Sequence, residues 1–166
     1  GSPDGIPALS TLVVDPDQTV RWKAAEALGA VGGDAAVAPL VGALGDGDED
    51  VCDVATSSLV AIGGPAVEPL IDALRMKERW FCAVAALGEI GDVAAPALRS
   101  ALSRKNRWVR IGAAMILAEE GDRQGTDALI AALSDADPDV RDAAREILEV
   151  GLKKGSEGGK NQNSPV

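Results

Sequence analysis

The feature that most constrains this 166-residue chain is a segment that recurs about every 30 residues. Its anchor leucines, spaced by 31, 28, 30 and 31 residues, are Leu28, Leu59, Leu87, Leu117 and Leu148. A second segment recurs between the copies of the first, and its anchor leucines are Leu9, Leu40, Leu70, Leu98 and Leu129. A period of this length is typical of solenoids, in which each unit contacts only its neighbours.

Each unit has the pattern of two helices, called here the first helix and the second helix. Apolar residues follow a helical spacing in the first segment, as at Val20, Ala24 and Leu28. Glycines follow where a helix often ends in a left-handed residue, at Gly32, Gly63, Gly91 and Gly121. Prolines fall where a first helical turn tolerates them, at Pro39, Pro69 and Pro96. We therefore predict an all-α fold, a right-handed α-solenoid (superhelix) of about five two-helix repeats and about ten helices.

The repeats predict one solenoid domain over residues 5–152. Residues 1–4 are predicted to be a cloning scar or an N-terminal extension. Residues 155–166 are rich in glycine and polar side chains and are predicted to form a polar, flexible tail. The final copy of the first helix carries Asp142, Glu146 and Glu149 at outward positions. A polar outer face of this kind is typical of a capping repeat.

Three short patterns identify a family resemblance. They are the D-x-D-x-x-V-R turn, as at 15–21 and 135–141, the A-x-x-A-L-G run, as at 24–29 and 83–88, and the P-L-x-x-A-L end of the second helix. Together they resemble the HEAT-like repeats of the phycobilisome (phycocyanobilin) lyase type, over residues 5–152. The resemblance implies a HEAT-like solenoid and, as one function, a bilin lyase or isomerase subunit.

Composition removes several kinds of chemistry. The chain has no histidine and no nucleotide-binding or serine-hydrolase motif, so we expect no enzyme, no metal and no cofactor. The acidic turn 46–50 is too short a series of oxygen ligands for a calcium loop. Two cysteines are too few for a disulfide framework, which favours a reducing, cytoplasmic location. Cys52 and Cys82 occupy different positions of neighbouring repeats, and we expect two inert thiols.

Charge departs from the repeat pattern in one region. Residues 75–110 hold eight of the 16 basic residues and three of the 26 acidic residues. The turns of this region predict a basic ridge, made of Arg75, Lys77, Arg79, Arg99, Arg104, Lys105, Arg107 and Arg110. Three arginines of the repeat pattern itself, Arg21, Arg110 and Arg141, are expected instead to bond the acidic turns and carbonyls of adjacent repeats.

Large apolar side chains also depart from the pattern there. Trp108 stands where the other copies have polar residues, and Trp80 stands in the position of Arg21. Tryptophan and arginine are the commonest anchors of protein interfaces. Each indole could also fold over the neighbouring repeat. The outward positions of the same first helices predict an exposed apolar patch of Phe81, Ile111 and Met115, with Cys82, Ala85 and Gly112 between them.

The sequence therefore predicts a non-enzymatic scaffold or adaptor that binds a protein partner, and an acidic segment is one expected feature of that partner. The predicted partner-binding residues are Trp80, Trp108, Arg79, Arg104, Lys105, Arg107, Arg99, Phe81, Ile111 and Met115. A homodimer through the first helices is an alternative use of the apolar patch. A net charge of −10 argues against nucleic acid as the partner, and no membrane span is expected.

Overall fold

Both recurring segments form helices. A computed structural model describes residues 5–158 of the chain and the side chains of residues 5–151. This part contains ten α-helices and no strand. Their bounds are α1 Ile6–Leu12, α2 Gln18–Val31, α3 Asp34–Ala43, α4 Glu49–Ile62, α5 Val67–Ala73, α6 Lys77–Ile90, α7 Ala95–Ala101, α8 Arg107–Glu119, α9 Arg123–Ala132 and α10 Pro138–Gly158.

Three of the first helices, α2, α4 and α8, begin at residues whose side chains cap them, whereas Met76 before α6 provides no such cap. Asp17 accepts a hydrogen bond from the Thr19 amide, and Asp48 accepts one from the Val51 amide. Each bond satisfies a backbone donor that the helix itself leaves unpaired. In the basic turn before α8, Asn106 provides the same cap without a charge.

The first helices also end as the sequence predicts. Glycines with positive φ angles, Gly32 (68°), Gly63 (71°), Gly91 (62°) and Gly121 (81°), stand at or just beyond the ends of α2, α4, α6 and α8. A side chain would make this conformation costly, so glycine allows the chain to turn sharply into the second helix.

The helices stack in two rows. The first helices α2, α4, α6, α8 and α10 contact one another in chain order, and the second helices α1, α3, α5 and α7 form a parallel row. Alternating rows bury one continuous core of small and branched side chains, with the anchor leucines Leu28, Leu59, Leu87 and Leu117 fully buried. The predicted all-α solenoid is confirmed.

The core is divided near the C-terminal end. One cluster of buried apolar residues extends from Ile6 to Leu117, and a smaller one joins α8, α9 and α10 through Ile111, Leu129 and Val140. Trp80 packs against both clusters, so its indole lies where the two meet.

A glycine brings α9 unusually close to α8. Gly125 stands where the other second helices have buried alanines, Ala36, Ala66 and Ala94. A Cβ atom at Gly125 would lie 2.5 Å from the Ala118 nitrogen and 2.8 Å from the Ala114 oxygen. Because both are backbone atoms of α8, no side-chain rotation could make room.

The C-terminal boundary differs from the sequence prediction. Helix α10 continues to Gly158, whereas a flexible tail was predicted from residue 155. Residues 159–166, the rest of the predicted tail, and residues 1–4, the predicted N-terminal extension, lie outside the described residues.

Candidate functional site

One position of the first helices links each repeat to the next. In α2 it is Arg21, whose Nε and Nη2 donate to Asp46 in the turn before α4 at 2.7 and 2.8 Å. This pair of hydrogen bonds lowers the pKa of Asp46 and raises the pKa of Arg21. Arg21 also donates to the carbonyls of Asp15 and Pro16, in its own turn. The predicted bond to an adjacent acidic turn is confirmed, and the carbonyls belong to the same repeat.

We call this position the linking position, and in α4 it is Cys52. Cys52 forms a disulfide with Cys82 of α6, with their Cα atoms 6.9 Å apart. The prediction of two inert thiols is wrong. Cys82 lies two residues beyond the linking position of α6, and two residues turn a helix by about 200°. A residue at the linking position therefore points toward the following repeat, and a residue two positions later points toward the preceding repeat. Cys52 of α4 and Cys82 of α6 thus face each other, which brings their sulfurs together.

Trp80 occupies the linking position of α6. Its indole Nε1 donates a hydrogen bond to the Trp108 carbonyl of α8 at 3.2 Å. The ring covers Gly112, because a Cβ atom there would lie 3.4 Å from Nε1 of Trp80. The indole thus folds over the neighbouring repeat, and its half-buried ring fills part of the space between α6 and α8.

Two equivalent glycines show that the space between first helices differs along the row. Gly29 of α2 lies against α4, and a Cβ atom there would be 2.7 Å from the Ser58 Cβ and closer still to its hydroxyl. Gly88 holds the same position in α6, and a Cβ atom there would meet nothing within 4 Å. Helices α2 and α4 are therefore in close contact at a level where α6 and α8 leave a gap.

A shortened turn accompanies this gap. Residues 74–76 connect α5 to α6, whereas the five residues 44–48 connect α3 to α4. The shorter turn places Arg79 where the other first helices have valine, and its side chain lies against Gly45 of the preceding repeat. The start of α6 therefore contacts the repeat before it.

An apolar cleft of about 1220 Å³ lies above α8, lined on the α6 side by residues near the start of α6. Helix α8 contacts α6 on one side and α10 on the other, and residues of α6, α8, α9 and α10 line the space. We call it the α8 cleft. Its large apolar side chains include Leu74, Trp80, Phe81, Trp108, Met115 and Ile147. Its charged lining includes Arg75 and Lys77 on the α6 side and Asp139 and Glu146 on the α10 side.

Phe81 is the most exposed aromatic side chain of this cleft. Its ring is 78% exposed and meets Trp80 edge to face, with ring centroids 5.1 Å apart. The Trp80 ring is fixed by its bond to Trp108 and by the core beneath it. The cleft therefore presents a free phenyl ring beside an immobilised indole.

The predicted apolar patch is correct in part. Phe81 is exposed and Met115 is half-buried in the cleft, but Ile111 is only 2% exposed and Gly112 is buried. Ile111 packs against Val140 and Ala144 because α10 covers that face of α8. The prediction of Ile111 as a partner-binding residue is therefore wrong.

Half of the predicted basic ridge, four of its eight residues, forms ion pairs within the chain. Arg104 bonds Glu68 at 2.7 Å and Asp72 at 3.3 Å, and Arg99 bonds Asp122 at 2.7 Å. Their partners lie on α5 and at the start of α9, so these arginines connect second helices.

The two other paired arginines of the ridge form ion pairs with the turn that precedes α10. Arg107 bonds Asp137, and Arg110, at the linking position of α8, bonds Asp135 at 3.4 Å. Asp135 has a lowered pKa, caused first by the hydrogen bond from the Asp137 amide and then by Arg110 and Arg107. The basic turn thus lies between acidic neighbours and stabilises the stacking of repeats.

Four cations of the ridge form no ion pair with the side chains of residues 5–151: Arg75, Lys77, Arg79 and Lys105. Arg75 donates to the Asp72 carbonyl, and Arg75 and Lys77 line the cleft. Of the ten predicted partner-binding residues, the cleft brings together Trp80, Phe81, Trp108 and Met115. It leaves out Arg79, Arg99, Arg104, Lys105, Arg107 and Ile111.

The sequence of this solenoid also matches a family model. The model for HEAT repeats matches residues 1–60 and 81–149. This chain belongs to the HEAT-repeat family. The matched ranges leave out residues 61–80, which contain the shortened turn.

Several solved structures are similar to the chain. The complex of CpcE and CpcF of phycocyanin lyase from Nostoc sp. PCC7120 is 20% identical with a TM-score of 0.48, over 89% of this chain and 99% of that one. An engineered protein is 23% identical with a TM-score of 0.42, over 88% and 78% of the two chains. A designed armadillo repeat protein is 16% identical with a TM-score of 0.31, over 87% and 98%. The comparison with curated proteins finds no match.

The second helices of these HEAT repeats present a different surface. Eight exposed residues of this surface are Ala38, Gly42, Glu68, Asp72, Pro96, Ser100, Asp127 and Ala131. They are small or acidic, and Arg104 reaches across to two of them. This surface has no large apolar side chain among the eight, in contrast to the α8 cleft.

The described residues contain no group of three or more cysteine or acidic side chains placed to hold a metal ion. No single helix among them is long and apolar enough to cross a membrane, and one pair bent by 120°, Glu49–Ile62 with Gly64–Ala73, passes by length and composition only.

Sequence reasoning missed the α10 side of the cleft. Ala143, Glu146 and Ile147 line it, although α10 was interpreted only as a polar cap. The signal was present in Ile147 and Val150, two apolar residues of the helix that was interpreted as a polar cap. Val150 is largely exposed.

Proposed function

We propose that this chain is a non-enzymatic protein-interaction module that holds its partner in the α8 cleft. The observation that carries the proposal is the open apolar cleft in which exposed Phe81 lies beside Trp80, Trp108 and Met115. Folded proteins seldom expose an apolar surface of this kind without a use for it. Tryptophan, phenylalanine and methionine are enriched in protein interfaces.

The arrangement suits recognition for an energetic reason. Covering an exposed phenylalanine contributes on the order of 1.5–3 kcal/mol. Trp80 is already fixed by its hydrogen bond, so binding costs little additional side-chain entropy there. Ion pairs within the chain already engage four arginines of the basic ridge, namely Arg99, Arg104, Arg107 and Arg110. We therefore assign the larger share of the proposed binding energy to the apolar cleft and not to the basic ridge.

Affinity capture from the source organism tests the proposal with two matched variants. Phe81→Ser removes the exposed ring from the cleft. Val14→Ser removes an apolar side chain that is 76% exposed near the other end of the solenoid. We expect a protein that the wild type and Val14→Ser retain and Phe81→Ser loses. Retention of the same proteins by all three would contradict the proposal.

A second candidate function is the handling of a bilin chromophore. The cleft favours it because aromatic rings lie beside two cations, Arg75 and Lys77, that could pair with propionate groups. Titration with a bilin distinguishes the candidates. A shifted visible spectrum that Trp108→Ala abolishes would support chromophore handling, and an unchanged spectrum would exclude it.

Location and assembly stay predictions. The cytoplasmic location was predicted because the chain has too few cysteines for a disulfide framework. The Cys52–Cys82 disulfide, in contrast, is typical of oxidising compartments. Fractionation of the source cells would decide the compartment. Light scattering would decide whether the chain forms a homodimer.

A further inference from the structure

We propose that the partner segment is an amphipathic helix of about three turns that lies along α8, with acidic residues on one flank and basic residues on the other. This inference rests on the proposed function, because it specifies what the α8 cleft binds. Three features of the cleft carry it: its size, its saturated backbone and the opposite charges of its two sides.

The size of the cleft matches a short helix. The residues of α8 that line it run from Trp108 to Glu119, which corresponds to roughly 16 Å of helix. A helix about 10 Å across and about 16 Å long occupies roughly 1250 Å³. The cleft measures about 1220 Å³. A helix of about three turns is therefore comparable in size to this open cleft.

The backbone around the cleft favours a helix over a strand. Its walls are α6, α8, α9 and α10, in which backbone groups bond within their own helix. An extended peptide gains affinity by pairing with a free sheet edge, and no strand occurs among residues 5–158. A helix satisfies its own backbone and needs only apolar contacts from the cleft.

The flanks of the cleft carry opposite charges. Arg75 and Lys77 lie on the α6 side, and Asp139 and Glu146 lie on the α10 side. All four side chains belong to exposed residues, and none forms an ion pair with the side chains of residues 5–151. A bound helix with acidic residues toward α6 and basic residues toward α10 would pair with both sides.

The apolar stripe of such a helix has defined contacts. Phe81 on one side, Met115 in the middle and Ile147 on the other lie on three different helices. Residues at i, i+3 or i+4, and i+7 of an amphipathic helix form a continuous stripe that can reach all three. A segment with aliphatic residues at this spacing is the expected sequence signature.

Three designed peptides of 14 residues test the proposal. Each carries the same leucine stripe. The mixed peptide has glutamate on one flank and lysine on the other, and the two uniform peptides have glutamate on both flanks or lysine on both flanks. In fluorescence anisotropy at low salt we expect the mixed peptide to bind about fivefold more tightly than either uniform peptide. The advantage should fall below about twofold in 0.5 M salt. A leucine-stripe peptide interrupted by proline should bind much more weakly.

Charge reversal on the protein provides a matched comparison. Lys77→Glu alters the α6 flank, and Lys23→Glu makes the same change of charge at an exposed residue of α2, outside the cleft. Lys77→Glu should abolish the advantage of the mixed peptide over the all-lysine peptide. Lys23→Glu should leave that advantage intact.

The outcomes separate this inference from the proposed function. Equal binding of the mixed and uniform peptides at low salt would overturn the flank assignment, and equal binding of the proline peptide would overturn the helix. If no peptide binds while capture of a partner still depends on Phe81, the helix inference fails and the proposed function stands. A dimer that Phe81→Ser converts to monomer would overturn the inference in favour of a second copy of the chain.

Discussion

The interface between α2 and α4 and the interface between α6 and α8 are built from equivalent positions and have opposite characters. At α2 and α4, Arg21 bonds Asp46 and Gly29 admits the neighbouring helix without a gap. At α6 and α8, Trp80 replaces the arginine, and Gly88 faces open space. The first interface joins repeats closely, and the second leaves a cleft lined by aromatic rings.

The comparison shows how a repeat protein can acquire a site without changing its fold. The linking position uses an ion pair in α2, a disulfide in α4, an indole hydrogen bond in α6 and an ion pair again in α8. All four join one repeat to the next. The indole of Trp80 is the only one of the four side chains that also exposes a large apolar surface to a cleft.

Removal of the disulfide between these two interfaces should have the largest effect. Cys52 and Cys82 are 30 residues apart, and closing a loop of that length stabilises a protein by about 3–4 kcal/mol in the chain-entropy model. We expect Cys82→Ala to lower the free energy of unfolding by about this amount in urea denaturation. A reductant should destabilise the wild type and leave Cys82→Ala unchanged. A wild type insensitive to reductant would contradict the disulfide.

The two equivalent glycines should respond in opposite directions. Gly29→Ala forces a Cβ atom against Ser58 and should cost about 1–3 kcal/mol. Gly88→Ala meets no neighbour within 4 Å and should stabilise α6 by roughly 0.5–1 kcal/mol, because alanine favours helix. Thermal unfolding of both variants measures the difference. Equal destabilisation would show that α6 and α8 are as close as α2 and α4.

The smallest expected effect is a change in the stability of the fold at low pH. Because Arg21 lowers the pKa of Asp46, the ionised carboxylate stabilises the folded state at neutral pH. That contribution is lost as the pH falls from the ordinary value of 3.8 through the lowered pKa. Asp46→Asn should therefore be less stable than the wild type at pH 7 and should approach it as the pH falls through the lowered pKa.

The control for this prediction is Asp53→Asn, which removes an exposed carboxylate of α4 that forms no ion pair with the described side chains. Its stability should follow that of the wild type over the whole pH range. A constant difference between Asp46→Asn and the wild type at all pH values would contradict the assigned role of the ion pair.

The repeat pattern predicted the fold because stacking needs the same residues in every copy. The anchor leucines and the glycines with positive φ are therefore readable without a structure. The site is harder to read, because it depends on how far apart two helices lie. Trp80, Phe81, Trp108 and Met115 were found as departures from the pattern. Their assembly with Ile147 required the position of α10.

The errors have the same physical origin. Ile111 was predicted to be exposed because it holds an outward position that the last repeat fills with Asp142, but α10 covers it. The basic ridge was predicted from charges along the chain, whereas Arg104 and Arg107 find their partners in other repeats. Sequence position fixes the direction of a side chain on its helix, and the neighbouring helix decides what that side chain meets.

The central claim is that the α8 cleft, and not another surface of the solenoid, binds the partner. Fluorine NMR of protein labelled with fluorotryptophan tests it most directly, because the three tryptophans give three signals. Trp80 and Trp108 line the cleft, whereas Trp22 lies on α2 beneath Lys23. Addition of the mixed-flank peptide or of a captured partner should shift the signals of Trp80 and Trp108 and leave Trp22 unchanged. Binding that shifts Trp22 alone, or none of the three, would contradict the account.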